Sequence, residues 1–266
     1  MIQKKVVKLF AFFLILLLPV LSMAADLVTL DTRQGVKQSF ILMKPNKPVA
    51  SVILFAGGHG NLKLSSPFAS PSIGWGKANF LVRTRELFAA QGFMVAVIDA
   101  PSDKKSNDGM LGSFRDSPDH VADINKVISY LRNEANVLVW LIGTSRGTES
   151  AAHIAIHSTQ NPDGLVLTSS ITVKNEKGTA VTDMEIGKIT VPVLVIAHEE
   201  DQCWITPPDG AETIKEQLSS AKNVKLKYFQ GGSRPKSKPC QALSYHGFFG
   251  IEKEVVNYIS EFIKAN

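Results

Sequence analysis

Long apolar segments are scarce in this chain of 266 residues. The longest, Leu9–Leu21, has 13 residues and contains Pro19, so it is too short to cross a bilayer as a helix. Lysines at positions 4, 5 and 8 precede it, and Ser22-Met23-Ala24 follows, with small residues at 22 and 24. These features predict a signal peptide, residues 1–24, that is cleaved on export. No later segment is apolar enough to span a bilayer, so we expect no membrane contact after cleavage.

Cysteine is almost absent, since the chain has only Cys203 and Cys240. In an exported protein, two cysteines favour one disulfide in an oxidising compartment, periplasmic or extracellular. Two unrelated free thiols are the alternative.

Charge is modest as well. Charged residues make up 20% of the chain, and the formal net charge is +5. Three of the lysines belong to the predicted signal peptide, so its removal lowers the charge to +2. A mature protein with so little excess charge gives no reason to expect nucleic acid as a partner.

The chain also lacks internal repeats, low-complexity tracts and any linker that would divide it. Hydrophobic residues make up 44%, which is typical of a globular protein and too many for a disordered one. After the signal, the chain is long enough for one large core and short for two. We therefore predict a single domain over residues 25–266.

Strands and helices alternate along most of this predicted domain. Two early strands, Leu27–Asp31 and Gln38–Met43, are expected to pair antiparallel at a sheet edge. Further strands are predicted at Ser51–Phe55, Phe93–Ile98, Val137–Ile142, Gly164–Thr168, Val191–Ala197 and Val224–Phe229. A first helix is predicted at Phe80–Gln91, and a second begins at Pro118, after the capping residue Ser117. A third follows the strand Val137–Ile142 and ends at about His157. The last two run from Pro207 to Leu218 and over the apolar face from Ile251 to Phe262. This alternation favours a mostly parallel sheet covered on both faces, with ligands bound beyond the carboxyl ends of its strands.

The most specific motif lies at Gly143-Thr144-Ser145-Arg146-Gly147, a G-x-S-x-G pentapeptide between a buried strand and a helix. In that context a serine sits on a tight turn and is exposed as a nucleophile. A serine hydroxyl needs a base to remove its proton, and the base needs a third group to orient it. Ser145 is therefore the candidate nucleophile.

His246 is the candidate base, because it lies in a loop just before the last helix and beyond a carboxylate at a strand end. Three carboxylates follow the strand Val191–Ala197, in His198-Glu199-Glu200-Asp201. Asp201 is the preferred acid because it lies four residues past that strand end, and Glu200 is the alternative. A disulfide between Cys203 and Cys240 would join the loop of the acid to the loop of the base.

The loop Phe55-Ala56-Gly57-Gly58-His59-Gly60 follows the first central strand. Its glycines allow a close backbone approach to a substrate, so we expect the N–H groups of Gly58 and Arg146 to form an oxyanion hole. A phosphate-binding loop is the alternative interpretation. However, neither G-x-x-x-x-G-K-[ST] nor G-x-G-x-x-G occurs there, and no cofactor is expected.

Other candidates carry weaker signals. His153 and His157 have the spacing of metal ligands on a helix, but the H-E-x-x-H pattern is missing, and no metal is expected. His59 is a possible substrate contact. Four aromatic residues lie in predicted loops at the carboxyl-end edge of the sheet and are candidates for an acyl pocket: Phe68, Trp75, Phe114 and Trp204. Trp204 is also a possible substrate contact.

Together these motifs resemble the α/β-hydrolase family of serine hydrolases, over Leu27 to Phe262. Within that family, HEEDQC…ITP and PCQALSYHGFFGIE are similar to exported, dienelactone-hydrolase-related members. The resemblance implies an eight-stranded sheet, the triad Ser145-Asp201-His246 and no metal. The chain departs from the family in two places. Many members have His-Gly where this chain has Ala56-Gly57, and dienelactone hydrolases proper use a cysteine where this chain has Ser145.

The sequence thus predicts an exported serine hydrolase of the carboxylesterase type, acting on a small-molecule ester through an acyl-enzyme. A peptidase or an acyltransferase would use the same triad, and a non-catalytic binding protein on this fold is a further alternative. The connection Ser169–Ile189 is too short for a large lid domain, so we expect an open site.

Overall fold

The computed structural model describes residues 24–67 and 70–266. Residues 1–23, which carry nearly all of the predicted signal peptide, lie outside the described residues, as does Phe68. In the part that is described, no helix combines the length and apolar character needed to cross a membrane.

Within residues 24–67 and 70–266, ten strands and five α-helices follow one another. The strands are β1 (Ala25–Arg33), β2 (Val36–Met43), β3 (Ala50–Phe55), β4 (Leu64–Ser65), β5 (Ser72–Ile73), β6 (Phe93–Ile98), β7 (Val139–Thr144), β8 (Gly164–Thr168), β9 (Val193–His198) and β10 (Val224–Phe229). The helices are α1 (Phe80–Ala90), α2 (Pro118–Glu134), α3 (Gly147–His157), α4 (Gly210–Gln217) and α5 (Glu252–Ala265).

Eight of the strands form one sheet in the order β1-β2-β6-β3-β7-β8-β9-β10. From β6 to β10 every neighbouring pair is parallel. The hairpin of β1 and β2 is antiparallel, and β2 pairs antiparallel with β6, so β1 forms the edge. The predicted eight-stranded, mostly parallel sheet is confirmed.

Helices cover both faces of the sheet, which explains why its central strands read as unbroken apolar runs. In β7, Val139 and Leu141 pack on the face covered by α2, α3 and α4. Trp140 and Ile142 point to the other face, where α1 and α5 pack. The Trp140 indole meets the Phe262 ring edge-on, with 5.8 Å between ring centroids. Both side-chain rows of the strand are therefore buried.

Some element boundaries differ from the predicted ones. β7 begins at Val139 rather than Val137, because the N–H of Val137 bonds to Ala135 O in a turn and Leu138 is 44% exposed. α4 begins at Gly210, since Pro207 and Pro208 form the preceding turns instead of its first residues. The pair β4–β5 was not predicted, as two-residue strands are too short to show a period.

The chain crosses from one side of β3 to the other, which creates a crevice at the carboxyl end of this strand. β3 lies between β6 and β7, so the connections through α1 and α2 leave on opposite faces. Such a switch point is where parallel sheets bind ligands. The loops after β3, β7, β8 and β9 meet at this edge.

Candidate active site

Ser145 lies on the turn between β7 and α3, in a left-handed conformation with φ of 51°. Its N–H donates to Thr168 O at 3.0 Å, and its carbonyl accepts from the N–H of Thr148 at 2.8 Å. The flanking glycines make this turn possible, because a Cβ at Gly143 would lie 2.5 Å from Gly147 O. The left-handed conformation costs a residue other than glycine on the order of 1–3 kcal/mol. At Ser145 the surrounding turn holds it in place. The strand, tight turn and helix predicted around Ser145 are confirmed.

His246 and Asp201 are in contact and almost fully buried. The distance from His246 Nδ1 to Asp201 Oδ2 is 2.9 Å, and the two side chains are 6% and 1% exposed. Thr206 Oγ1 lies 3.0 Å from each of these two atoms and donates to the carboxylate. The other carboxylate oxygen, Oδ1, accepts from the N–H of Cys203 at 2.9 Å. With the proton on Nδ1, the Nε2 atom of His246 is free to accept a proton.

Glu200, the alternative acid, does not contact His246 through a hydrogen bond in the described part of the chain. Its backbone N–H donates to His198 Nδ1 at 3.1 Å, and the residue is exposed. Of the two carboxylates, Asp201 is the one in contact with His246, and its role as the acid stays a prediction.

Two further links hold His246 in place. Ser169, at the end of β8, donates its hydroxyl to His246 O at 2.9 Å. Cys203 and Cys240 form a disulfide with 4.5 Å between their Cα atoms. As predicted, this bond joins the loop of Asp201 to the loop that leads to His246.

Ser145 and His246 line the same cavity, which has a volume of about 440 Å³. Its wall also includes the Gly57–Gly58 loop, residues 75–80 and residues 240–242. Among the residues that the structure describes, the Ser145 hydroxyl makes no hydrogen bond to His246. Hydrogen bonds at catalytic sites are often long before substrate binds, so the shared cavity is the relevant geometry.

Gly58 and Arg146 each present a backbone N–H that has no acceptor within residues 24–67 and 70–266. Arg115 fixes the loop that carries Gly58. Its Nη2 donates to Ala56 O and Gly58 O, both at 3.0 Å, on either side of the Gly57–Gly58 peptide. Gly58 lines the cavity, and Arg146 directly follows Ser145, which also lines it. An oxyanion hole needs N–H donors that face the position of the developing charge.

A buried charged cluster lies beneath this loop, formed by Arg115, Arg146 and Glu149. Arg115 is fully buried and also donates to Ser150 Oγ at 2.8 Å. Burial lowers the pKa of its guanidinium to about 10, so it stays charged at neutral pH. Burial also raises the pKa of Glu149 to about 7, against the attraction of Arg115 and Arg146. Arg146 donates to Glu149 Oε1, and its side chain is almost fully buried.

Of the aromatic residues predicted to line the site, Trp75 lies in the cavity wall. His59 stacks on it, with 3.7 Å between ring centroids, and supports the indole instead of lining the cavity itself. Trp204 is 66% exposed and lies outside the cavity wall. Phe114 is buried in a small cluster with Ala100 and Met110, so it does not line the cavity either.

His153 and His157 are neighbours on α3, with 4.4 Å between their ring centroids. Over residues 24–67 and 70–266, no group of three or more His, Cys, Asp or Glu side chains is placed to hold a metal ion.

Three residues with contacts at the site were not predicted. Thr206 bonds to both the acid and the base, and its place in the loop after Asp201 is the signal that would have found it. Ser169 follows directly after a buried strand, which is a usable signal for a residue at this edge. Arg115 lies in a loop far along the chain from Gly58, and no local pattern marks it.

No protein-family model matches the chain, and no curated protein matches it in sequence. Solved structures do match. The esterase Pf2001 of Pyrococcus furiosus has a TM-score of 0.63 at 15% identity, over 92% of this chain and 93% of that chain. A cold-adapted esterase from an Arctic intertidal metagenomic library has a TM-score of 0.58 at 13% identity, over 91% of this chain and 95% of that chain.

The acylaminoacyl peptidase of Pyrococcus horikoshii has a TM-score of 0.61 at 14% identity, over 91% of this chain and 41% of that chain. At such identities these similarities establish the fold alone. It is the α/β-hydrolase fold, as the sequence predicted.

Proposed function

We propose that this protein is an exported serine hydrolase that cleaves a small carboxylic ester through an acyl-enzyme. Ser145 is the nucleophile, His246 the general base and Asp201 the residue that orients it. The observation that carries the proposal is the buried Asp201–His246 pair on the same cavity as a serine held at a left-handed turn. The similarity to two esterases supports the choice of ester.

In the first step, His246 Nε2 takes the proton of the Ser145 hydroxyl as Oγ bonds to the ester carbonyl carbon. The π pair of the carbonyl moves to its oxygen, which becomes an oxyanion. The N–H groups of Gly58 and Arg146 donate to that oxygen. Asp201 stabilises the imidazolium through Nδ1 and remains ionised.

In the second step, the bond from the tetrahedral carbon to the alcohol oxygen breaks, and His246 gives its proton to the leaving alcohol. Water then enters, loses a proton to His246 and attacks the acyl-enzyme. A second tetrahedral intermediate collapses, the Ser145 oxygen regains the proton and the carboxylic acid leaves. The roles of acid and base thus alternate on one imidazole.

The cavity fits a small or extended substrate. The connection between β8 and β9, which is described throughout, contains two short 3₁₀ turns, at Val181–Asp183 and Ile186–Lys188, and an isolated bridge between Asn175 and Gly178, but no lid domain. The indole of Trp75 lies against the Gly57–Gly58 loop, where a Cβ at Gly58 would be 2.7 Å from Trp75 Cη2. Trp75 therefore bounds the space beside the oxyanion hole.

Fluorophosphonate labelling of the purified protein tests the nucleophile. The wild type is expected to be labelled and to hydrolyse p-nitrophenyl acetate, and the Ser145→Ala variant to do neither. Ser129→Ala is the matched control, because Ser129 lies on α2 away from the cavity wall and its hydroxyl donates to Asn125 O of the same helix. Undiminished labelling of Ser145→Ala would reject the assignment.

A peptidase is the second candidate, favoured by the fold similarity to the acylaminoacyl peptidase. The two activities are separated by comparing p-nitrophenyl esters of several chain lengths with aminoacyl p-nitroanilides. We expect ester turnover to be at least about 10²-fold faster in kcat/KM, since aryl esters are intrinsically the more reactive substrates. Comparable turnover of an anilide would favour the peptidase.

Export and membership of the dienelactone-hydrolase-related branch complete the proposal. They rest on the basic and apolar N-terminal segment and on the motifs around Asp201 and His246. The disulfide supports export, because such bonds persist in oxidising compartments. The N-terminus of the secreted protein is expected at Ala25, which N-terminal sequencing checks.

A further inference from the structure

Asn79 precedes α1 and faces the same cavity as Ser145. All but one of its hydrogen-bonding groups have partners within the chain. Its backbone N–H donates to Gly76 O at 2.8 Å, and its carbonyl accepts from the N–H of Arg83 at 2.9 Å. Its side-chain Oδ1 caps the helix by accepting from the N–H of Leu81 at 3.1 Å. Among the described residues, the side-chain NH₂ group alone has no acceptor.

The cap fixes which way this amide faces. Only Oδ1 can accept from the Leu81 N–H, so Nδ2 must occupy the opposite side of the amide plane. That side faces the Gly57 backbone and Ser145. A Cβ at Gly57 would lie 3.4 Å from Asn79 Nδ2 and 2.9 Å from Ser145 Cβ. Nδ2 is therefore no more than about 6 Å from Ser145 Cβ, on the side of the Gly57–Gly58 loop.

This spacing matches the place of a developing charge. When Ser145 Oγ bonds to a carbonyl carbon, the oxyanion lies about 3 Å from Ser145 Cβ, and a donor must be about 3 Å further on. The upper limit of about 6 Å on the distance from Asn79 Nδ2 to Ser145 Cβ is compatible with that sum, and Nδ2 lies next to the loop that carries the Gly58 N–H. The site thus has one more donor than its two backbone N–H groups.

We propose that Asn79 is a catalytic residue, whose side-chain NH₂ donates a third hydrogen bond to the oxyanion formed on attack by Ser145. The inference rests on the proposed function. As the Ser145 Oγ–carbon bond forms, the carbonyl π pair moves to oxygen and the Ser145 proton moves to His246, while the Asn79 amide keeps both of its protons. Its contribution is strongest in the transition state, where the charge on oxygen is largest.

Two substitutions separate this role from helix capping. Asn79→Ser keeps a side-chain oxygen at the cap but has no NH₂ group, and Asn79→Ala lacks both. With p-nitrophenyl acetate, both variants are expected to lose about 10²-fold in kcat, with KM within about threefold of the wild type. If capping alone mattered, Asn79→Ser would recover the activity that Asn79→Ala loses. The melting temperature should fall by a few degrees only in Asn79→Ala.

Binding of phenylboronic acid gives a second readout, because it forms a tetrahedral adduct on the serine with an oxygen in the oxyanion position. Its inhibition constant is expected to rise in Asn79→Ser by a factor comparable to the loss in kcat. Asn79→Asp also retains the cap, and it places a carboxylate where the amide was. Its kcat should fall below that of Asn79→Ser, because two negative charges would face each other.

The outcomes distinguish this proposal from the proposed function. If Ser145→Ala is inactive while Asn79→Ser keeps wild-type kcat and boronate affinity, Asn79 is only a helix cap and the serine mechanism stands. If Ser145→Ala keeps its activity, both proposals are overturned. A loss of kcat and boronate affinity together in Asn79→Ser, with an unchanged melting temperature, supports the third donor.

Discussion

Removal of the disulfide by the double substitution Cys203→Ala and Cys240→Ala is expected to lower the free energy of unfolding by about 4 kcal/mol. The bond closes a loop with a sequence separation of 37 residues. Chain-entropy reasoning assigns about 4 kcal/mol to the restriction of the unfolded state by such a loop. Cys203 is 1% exposed, so loss of its sulfur adds a small packing cost, whereas Cys240 is exposed. The entropic part dominates.

Urea-induced unfolding of the oxidised wild type and the double variant, extrapolated to zero denaturant, measures this difference. The reductant dithiothreitol provides an internal control. Both cysteines of the chain are in this bond. Reductant should therefore bring the wild type close to the variant and leave the variant itself unchanged. A difference below about 1 kcal/mol between the oxidised proteins would refute the loop-closure reasoning.

Three further changes probe the site. Asp201→Asn is expected to lower kcat on p-nitrophenyl acetate by about 10³- to 10⁴-fold, because the amide no longer holds the His246 proton on Nδ1. The circular dichroism spectrum should be unchanged. Retention of more than a tenth of kcat would speak against Asp201 as the acid. Trp75→Ala is expected to raise kcat/KM for p-nitrophenyl octanoate relative to the acetate, since the indole bounds the cavity; an unchanged ratio would place the acyl group elsewhere. Glu149, whose pKa burial raises to about 7, holds a proton in the folded state that the unfolded chain releases from pH 4.5 upward. Stability should therefore decrease as the pH rises from 4.5 to 7, by about 3 kcal/mol, and Glu149→Gln should lack this part of the slope in urea unfolding at several pH values; identical slopes would contradict the shift.

The parts of the fold that the sequence predicted well are those with a strong local signal. Phe93–Ile98 and Gly164–Thr168 are apolar runs bounded by glycine or polar residues, and both strands have the predicted bounds. The start of α2 is marked by Ser117 and Pro118, and its cap bond from the His120 N–H to Ser117 Oγ is present at 3.3 Å. Boundaries were wrong by two or three residues where turns use apolar or proline residues, as before β7 and α4.

In the candidate site as well, residues beside a recognisable strand or helix could be found from the sequence, whereas residues joined by long-range contacts could not. Ser145, Asp201 and His246 each follow or precede an element that can be recognised in the sequence, so their convergence at one sheet edge follows from the topology. Contacts across long sequence separations leave no such mark. The bond from Arg115 to Gly58 O spans 57 residues and that from Ser169 to His246 O spans 77. His59 and Trp204 were chosen as substrate contacts by their place in the chain alone, and neither is among the residues that line the cavity.

Cross-links between the loops hold the candidate site together. The loop of Asp201 is tied to the loop before His246 by the disulfide. Arg83, on α1, donates from Nη1 to Ala78 O and from Nη2 to Gly247 O, and also pairs with Glu252 on α5. This arginine therefore joins the segment that carries Asn79 to the residue after His246.

Arg115 completes the frame by joining the Gly57–Gly58 loop to Ser150 on α3, the helix that follows Ser145. Each segment that contributes a proposed catalytic group is thus linked to another by a covalent or charged contact, at positions removed from the reacting atoms. Hydrogen bonds to charged groups each contribute about 1.5–3 kcal/mol to stability. Movement of one segment would therefore break a bond to its neighbour and lose that free energy. Preorganisation of the proposed oxyanion donors, the property on which electrostatic catalysis depends, is then supported by buried Arg115 and half-buried Arg83.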